Sequence, residues 1–298
     1  MLTFPTFMQH LANGISVGSL YALIAIGYTM VYGILRLINF AHGDIFMMAA
    51  YFTYFGIAVF NIPWPITALL VLVLTALLGV GIEKVAYTSL RDAPKTSILI
   101  SAIGVSYLME NLATYLFSGK PKAFPEIGNF ADTATVGTVS IQYVSFIIPI
   151  VVILLVLALL FIVNKTKLGM AMRAVSKDYE IARVMGIKIN RVISYTFAIG
   201  SALAAVGALL WGVKYPQIQP MMGVMPGLKC FIAAVIGGIG NIKGAMLGGF
   251  VLGLGEIMLI AFLPSLTGYR DAFAFIFLII ILLVKPNGLL GEKLTEKV

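Results

Sequence analysis

Residues 165–191 read KTKLGMAMRAVSKDYEIARVMGIKINR and form the most strongly charged segment between two long apolar runs. Two acids, Asp178 and Glu180, accompany seven basic residues, which are Lys165, Lys167, Arg173, Lys177, Arg183, Lys188 and Arg191. Loops rich in Lys and Arg between apolar spans are retained on the cytoplasmic side of a membrane. The segment therefore predicts a membrane protein in which residues 165–191 are a cytoplasmic loop, and the spans are counted outward from it.

A short helix is predicted within this loop. Ser176 can cap its N-terminus, Asp178 and Glu180 lie in the first turn, where the helix dipole favours negative charge, and Gly186 can end it. About nine helical residues would span roughly 13 Å. At helical spacing, one apolar face is formed by Ile181, Val184 and Met185. Such a face needs a partner, which is either another protein or the lipid headgroups.

The composition supports an integral membrane protein. The 298 residues are 60% hydrophobic and only 11% charged, with a mean hydropathy of +1.03, which is far outside the range of a soluble domain. The net charge of +8 does not indicate nucleic-acid binding, because the basic residues lie in loops between apolar runs rather than in one compact domain.

Nine apolar runs are candidate spans of an all-α polytopic protein. They cover residues 11–34, 37–60, 64–83, 97–117, 143–163, 192–213, 227–240, 244–263 and 270–285. The seventh is short for a span and is typical of a broken or re-entrant helix. We therefore predict eight to ten transmembrane segments in a single domain over residues 1–298.

Alternation of sides fixes the orientation. With residues 165–191 in the cytosol, the N-terminus falls outside and the C-terminus inside. The other basic residues predicted inside are Arg36, Lys84, Arg91, Lys95, Lys243, Lys285, Lys293 and Lys297. Those predicted outside are Lys120, Lys122, Lys214, Lys229 and Arg270. Residues 118–142 become an extracytoplasmic loop, either a small lid with a hairpin or, as we favour, a simple connector.

Two stretches interrupt the apolar sequence. The first is residues 36–43, and the second is residues 237–249, which contain six glycines. Non-helical backbone within a membrane is tolerated only where it is buried in protein or lines a watery cavity. The residues predicted to line the translocation pathway are therefore Asn39, His42, Asp44 and Asn241. Both breaks follow spans of the same predicted direction, which suggests two halves in parallel orientation.

Several of these residues have a purely structural interpretation. Asp44 fits the first turn of a helix after Gly43, and His42 fits a turn at the interface. Glu110 is either a polar tie between helices or a substrate contact. Glu256 follows a run of small residues whose glycines are more typical of close helix packing.

Motifs that the sequence lacks restrict the function. No GxxxxGK[ST] phosphate loop is present, so ATP hydrolysis cannot be assigned to this chain. Cys230 is the single cysteine, and with two histidines it offers no metal-ligand spacing. Neither a nucleophile elbow nor a carboxylate pair supports a membrane enzyme. We therefore expect no catalytic residue, metal or cofactor on this chain.

Four stretches, taken together, resemble one family. EIARVMGI (residues 180–187) is similar to the cytoplasmic Glu-Ala-Ala signature of ABC importer permeases, with Ala182 and Gly186 matching and Ile181 in place of the first alanine. The run before it, LGMAMRAVSKDYE, and the N-terminal GSLYALIAIGYTMVYGILRLINFAHGDIFMMAAY (residues 18–51) resemble the branched-chain amino acid permeases of the LivH type. GGIGNIKGAMLGG and KPNGLLGE (residues 285–292) complete the resemblance, which extends over nearly the whole chain.

The resemblance implies a set of partners. Two permease subunits, identical or related, form the pore in the bacterial plasma membrane, two ATPase subunits dock on their cytoplasmic coupling helices, and an extracytoplasmic binding protein delivers the amino acid. The residues implied in coupling are Ser176, Asp178, Glu180, Ile181, Ala182, Val184, Met185 and Gly186. The alternatives are an ABC permease for urea, short amides or a sugar, and a secondary transporter or channel that works alone.

Overall fold

The computed structural model describes residues 3–90, 93–136 and 139–291, and leaves the side chains of Lys95 and Val136 undescribed. Arg91, Glu292, Lys293 and Lys297, which enter the predictions above, lie outside the described residues. The fold class is confirmed as all-α, with four short strands. The helices are α1 Phe4–Leu35, α2 His42–Tyr54, α3 Trp64–Ile82, α4 Lys95–Phe117, α5 Val144–Lys165, α6 Lys167–Lys177, α7 Tyr179–Val184, α8 Ile189–Lys214, α9 Val224–Gly237, α10 Ile242–Phe262 and α11 Arg270–Val284.

Each of the nine predicted spans contains a helix, but not all of these helices are long. Seven helices within the described residues are long and apolar enough to cross a membrane. The other two are α2, with 13 residues, and α9, with 14. A π-helical segment, Phe55–Val59, lengthens α2, and a second one, Glu83–Thr88, lengthens α3. Each of α2 and α9 is too short to span a bilayer core of about 30 Å alone.

Helix α1 is the central axis of the bundle. Its 32 residues span about 48 Å, and almost all of its C-terminal two-thirds is buried. At its N-terminal end, Gln9 Nε2 donates to the Ser140 carbonyl at 2.8 Å. At its C-terminal end, the Tyr179 hydroxyl donates to the Ile34 carbonyl at 2.8 Å. Residues 118–142 and the charged loop therefore lie at opposite ends of the bundle, called here the hairpin side and the loop side.

Residues 118–142 contain ordered strands rather than a plain connector. Strand β2 (Thr133–Val136) pairs antiparallel with β3 (Val139–Gln142). Strand β1 (Lys122–Ala123) pairs antiparallel with β4 (Gln217–Ile218), which follows α8. Of the two interpretations, the structure supports the small element with a hairpin. The β1–β4 pair also fixes the backbone of the segment that leads into α9.

Glycines allow α1 and α10 to pack with their backbones close together. A methyl group on Gly253 would overlap the Gly18 backbone, and one on Gly249 would overlap the Ala22 backbone. These two pairs run in opposite order along the helices, so α1 and α10 are antiparallel. The packing interpretation of these glycines is confirmed, as expected for small residues in membrane helix contacts.

Helix α2 begins inside the bundle, which confirms the first predicted break. Arg36 ends α1 in the left-handed conformation (φ 54°), and the chain turns back into the protein. His42, the first residue of α2, packs directly against Gly27. Gly27 lies about two turns before the end of α1, so α2 starts roughly 12 Å inside the bundle.

The second predicted break is present, but it is a turn at the end of the bundle rather than non-helical backbone inside it. Residues 238–241 form a tight turn between α9 and α10, in which Gly238 and Gly240 take positive φ, and Gly240 packs on Gly33 at the loop side. The interruption lies instead at residues 215–223, before α9. There the Gly223 carbonyl oxygen would lie 2.6 Å from a methyl group on Gly43. Helices α2 and α9 thus meet inside the bundle at their N-terminal ends and run away from each other. The parallel arrangement of halves stays a prediction.

Candidate transport site and coupling surface

A cavity of about 270 Å³ lies where α2, α4 and α9 come together. Its wall is mainly aromatic and aliphatic, and its polar side chains are Asp44, Ser106, Glu110 and the hydroxyls of Tyr28 and Tyr107. Gly43, Gly223 and Gly227 line the cavity on the α2–α9 contact, where the absence of side chains lets the two helix starts approach. A mostly apolar cavity with a few convergent polar groups is the usual form of a small-molecule site.

Asp44 was predicted both as a helix-start residue and as a pathway residue, and its position fits both. It lies in the first turn of α2, where the helix dipole favours its negative charge. It also lines the cavity, although its own exposure is only 2%. The Ser106 hydroxyl of α4 donates to Asp44 Oδ2 at 2.5 Å. Glu110 lies about one turn further along α4 and lines the same cavity.

Asn39 and His42 are buried behind this cavity and do not line it. The Tyr87 hydroxyl donates to Asn39 Oδ1 at 3.0 Å, and the His42 ring packs edge-on against Tyr28 with centroids 4.6 Å apart. Asn39 Nδ2 and His42 Nε2 have no hydrogen-bond partner within the described parts of the chain. Asn39 lies in the non-helical segment before α2, and His42 is the first residue of that helix.

Asn241 is not brought together with the other three predicted pathway residues. Its side chain caps α10 by accepting hydrogen bonds from the amides of Lys243 and Gly244 at 3.0 and 3.2 Å. Its amide nitrogen donates to the Leu290 carbonyl at 2.9 Å. An Asn before a helix start is a common N-cap, and this local role accounts for the residue. We leave it out of the site.

Helix α4 exposes polar side chains that are unfavourable in contact with lipid. Tyr107 is 62% exposed, and Asn111 and Thr114 are also exposed on this helix. By contrast, α5 exposes only aliphatic residues along its middle, such as Ile150, Leu154 and Leu157. Polar groups on a span face protein or a water-filled path. The exposed polar side chains of α4 lie next to Glu110 and the cavity, and those of Asn111 and Thr114 donate to carbonyls of α4 itself.

Four charged side chains form a cluster on α9, α10 and α11 that the sequence prediction missed. Lys229 Nζ lies 2.7 Å from Glu256 Oε1 and 2.6 Å from Asp271 Oδ1. Arg270 also pairs with Glu256, and the Tyr21 hydroxyl donates to Glu256 Oε2 at 3.0 Å. Lys229 and Glu256 are almost completely buried.

Two lysines predicted on the outside are buried in the protein. Lys229 lies within α9 and points toward Glu256. Lys214 is also buried, and it donates to Ser145 Oγ at 2.8 Å and to Asn13 Oδ1 at 3.3 Å. Assigning Lys and Arg to the two sides of the membrane assumes that each side chain reaches water. Lys229 and Lys214 instead contact polar partners inside the bundle.

We expect Glu256→Gln to destabilise the protein by about 1.5–3 kcal/mol, because the buried Lys229 ammonium loses one of its two anionic partners and keeps Asp271. The measurement is the thermal unfolding temperature in detergent. Asp271→Asn is the control with a smaller expected loss, since the Asp271 side chain is half exposed. Equal, small losses in the two variants would contradict a stabilising role for the buried pair.

The charged loop forms two short helices rather than one. Ser176, predicted as the N-cap, lies in the last turn of α6 and donates to the Arg173 carbonyl at 2.9 Å. The N-cap of α7 is Asp178, whose Oδ1 accepts from the amides of Glu180 and Ile181 at 2.9 and 3.0 Å. Asp178 stands in extended backbone, which stops α6 and lets α7 begin. Helix α7 has six residues instead of the predicted nine.

The predicted apolar face of α7 points away from the bundle. Ile181 is 61% exposed, Val184 87% and Met185 76%, whereas Ala182 is buried. An apolar groove of about 470 Å³ runs between α6 and α7, with Met170, Ala174, Ile181 and Met185 in its wall. Gly186 ends the helix with φ +79°, as predicted. Exposed contiguous apolar surface of this kind marks a site of interaction with a protein or with the membrane.

The helical bundle, the cavity inside it and the exposed apolar groove at one end fit a membrane transport permease. The chain belongs to the branched-chain amino acid transport system permease family, whose sequence profile matches residues 10–282. It is 42% identical over 305 residues, 98% of each chain, to the high-affinity branched-chain amino acid transport system permease protein BraD of Pseudomonas aeruginosa. It is 41% identical over 308 residues, 99% of each chain, to LivH of Escherichia coli K12, which carries the same description.

A solved structure supports the fold. The chain superposes on one from PsaBC of Streptococcus pneumoniae in complex with Fab with a TM-score of 0.51. The match covers 93% of this chain and 92% of that one at 17% identity.

Proposed function

We propose that this chain is the permease subunit of an ABC importer for branched-chain amino acids. It receives its substrate from a binding protein on the hairpin side and is driven by ATPase subunits bound on the loop side. The near full-length identity of about 40% to permeases of that description supports the cargo. The observation that carries the mechanism is the outward-facing apolar surface of α7.

The orientation of α7 favours a docked protein over lipid headgroups. A helix lying in the headgroups turns its apolar face toward the bilayer and its charges toward water. Here Ala182 faces the bundle, and the larger apolar residues Val184 and Met185 face away from it. An ATPase cleft that covers this surface would remove it from water and could pass rigid-body motion to α5 and α8, which flank the loop.

The proposed orientation across the membrane rests on the features that lie at the two ends of the bundle. The basic loop supports the loop side as cytoplasmic, which leaves the N-terminus outside. Near the C-terminus, the Leu289 amide donates to the Ile236 carbonyl at 2.8 Å, at the loop-side end of α9. This contact supports a cytoplasmic C-terminus. The exposed polar face of α4 is the surface we assign to the second permease subunit, identical or related, because polar groups within a span need such a partner.

The cargo is tested by uptake in cells. A strain that lacks this chain should lose high-affinity uptake of leucine, isoleucine and valine, and the restored gene should recover it. Uptake of urea and xylose by the same strain is the control and should not change. If loss of the chain abolished urea or xylose uptake and left leucine uptake intact, the proposed cargo would be wrong.

A further inference from the structure

We propose that Asp44 and Glu110 together bind the ammonium group of the amino acid as it passes through the cavity. The inference rests on the proposed function, and it names the residues that select for an amino acid over a neutral solute. Asp44 belongs to the start of α2 and Glu110 to α4, and both line the one cavity between α2, α4 and α9.

Neither carboxylate has a counter-ion among the side chains that the structure describes. Ion pairs formed by the described side chains include Glu256 and Asp271, and none of them involves Asp44 or Glu110. The described cavity wall contains no Lys or Arg. An acid in a membrane interior pairs with a cation, because an isolated buried charge is very costly. Ser106 supplies Asp44 with one hydrogen bond but no positive charge.

The rest of the cavity matches the other parts of a branched-chain amino acid. Phe40, Ile103, Leu228 and Phe231 offer apolar surface for an aliphatic side chain. Val224, the first residue of α9, also lines the cavity, and the positive end of that helix dipole favours a carboxylate nearby.

The first test measures the electrostatic potential in the cavity and does not require transport. Replacing Cys230, the single cysteine, with Ser gives a background in which Ile103→Cys places one thiol on the cavity wall. In the reconstituted complex, a positively charged methanethiosulfonate should react with this thiol about tenfold faster than a negatively charged one. Ser265→Cys lies in the exposed turn Pro264–Tyr269. A thiol there gives the ratio of the two reaction rates outside the cavity.

In the double variant Asp44→Asn/Glu110→Gln, the preference of the Ile103→Cys thiol for the positively charged reagent should fall. The ratio of the two reaction rates should then equal that at Ser265→Cys. If the two positions already gave the same ratio in the parent protein, the carboxylates would be neutral or inaccessible, and the proposal would be overturned. A thiol that reacts with neither reagent would also overturn it, because the cavity would then be closed to solutes.

The second test separates this inference from the proposed function. In the complete complex, Asp44→Asn/Glu110→Gln should lower the maximal rate of leucine uptake about tenfold or more, while the affinity of the binding protein for leucine stays unchanged. Glu110→Asp, which keeps the charge, should retain a rate within about threefold of the parent. Normal uptake by the double variant would refute the ammonium site but leave the proposed function standing. Failure of the parent complex to transport leucine would refute the proposed function itself.

Discussion

Replacing Val184 with Asp is expected to abolish ATP-driven uptake while the permease still folds and inserts. Val184 is 87% exposed in the isolated subunit, so the substitution costs the fold almost nothing. In the complex it would bury a carboxylate in an apolar contact, which costs about 3 kcal/mol or more. Because each 1.4 kcal/mol is about tenfold in affinity, ATPase binding should weaken about 100-fold.

Two measurements check this expectation. Co-purification of the ATPase with the permease should fail for Val184→Asp, and leucine uptake into cells should fall to background. Val184→Ile is the matched control, because it keeps an apolar side chain at the same exposed position and should retain both activities. A Val184→Asp permease that still binds its ATPase would show that α7 is not the docking surface.

Replacing Gly253 with Leu is expected to prevent the permease from folding. A side chain there would collide with the Gly18 backbone of α1, which cannot move aside as a flexible side chain could. Overpacking of this kind costs about 3 kcal/mol or more when the obstacle is backbone. We expect a large loss of monodisperse protein in detergent extracts and a lower unfolding temperature in what remains.

Gly255→Leu is the matched control on the same helix. It lies two residues away, and nothing lies within 4 Å of a methyl group added there. This variant should express and unfold like the parent. If Gly253→Leu and Gly255→Leu behaved alike, the close approach of α1 and α10 would not be needed for folding.

Hydropathy located the spans well because each is a run of apolar residues. The run has the same character wherever its helix begins within the bundle. For the same reason it could not place the start of α9. The short seventh run did predict a broken or re-entrant helix, and α9 has only 14 residues. Its depth in the bundle, however, follows from the contact of Gly43 with Gly223, which no apolar run indicates. The glycines of residues 237–249 indicated a break, but glycine serves a tight turn equally well.

The candidate site was predicted in part. Asp44 was found because an acid beside a broken span is costly and hence a functional candidate. Its partner Ser106 lies 62 residues away in sequence, and no local pattern connects the two. Glu256 and Lys229 were missed as a pair for the same reason, since their contact depends on how α9 packs against α10. Asp178 was predicted in the first turn of the helix, but it is the N-cap. Ser176 and Asp178 lie two residues apart, and both residue types are common N-caps, so the sequence allows the helix to begin after either one.

The most direct test of the central claim is leucine accumulation in proteoliposomes. These contain this chain, its second permease subunit and the ATPase pair, with binding protein added on the hairpin side and ATP supplied on the loop side. The account predicts accumulation that requires ATP, the ATPase pair and the binding protein, and that is absent with an ion gradient alone. Accumulation by this chain with an ion gradient and no ATPase would contradict the account and identify a secondary transporter.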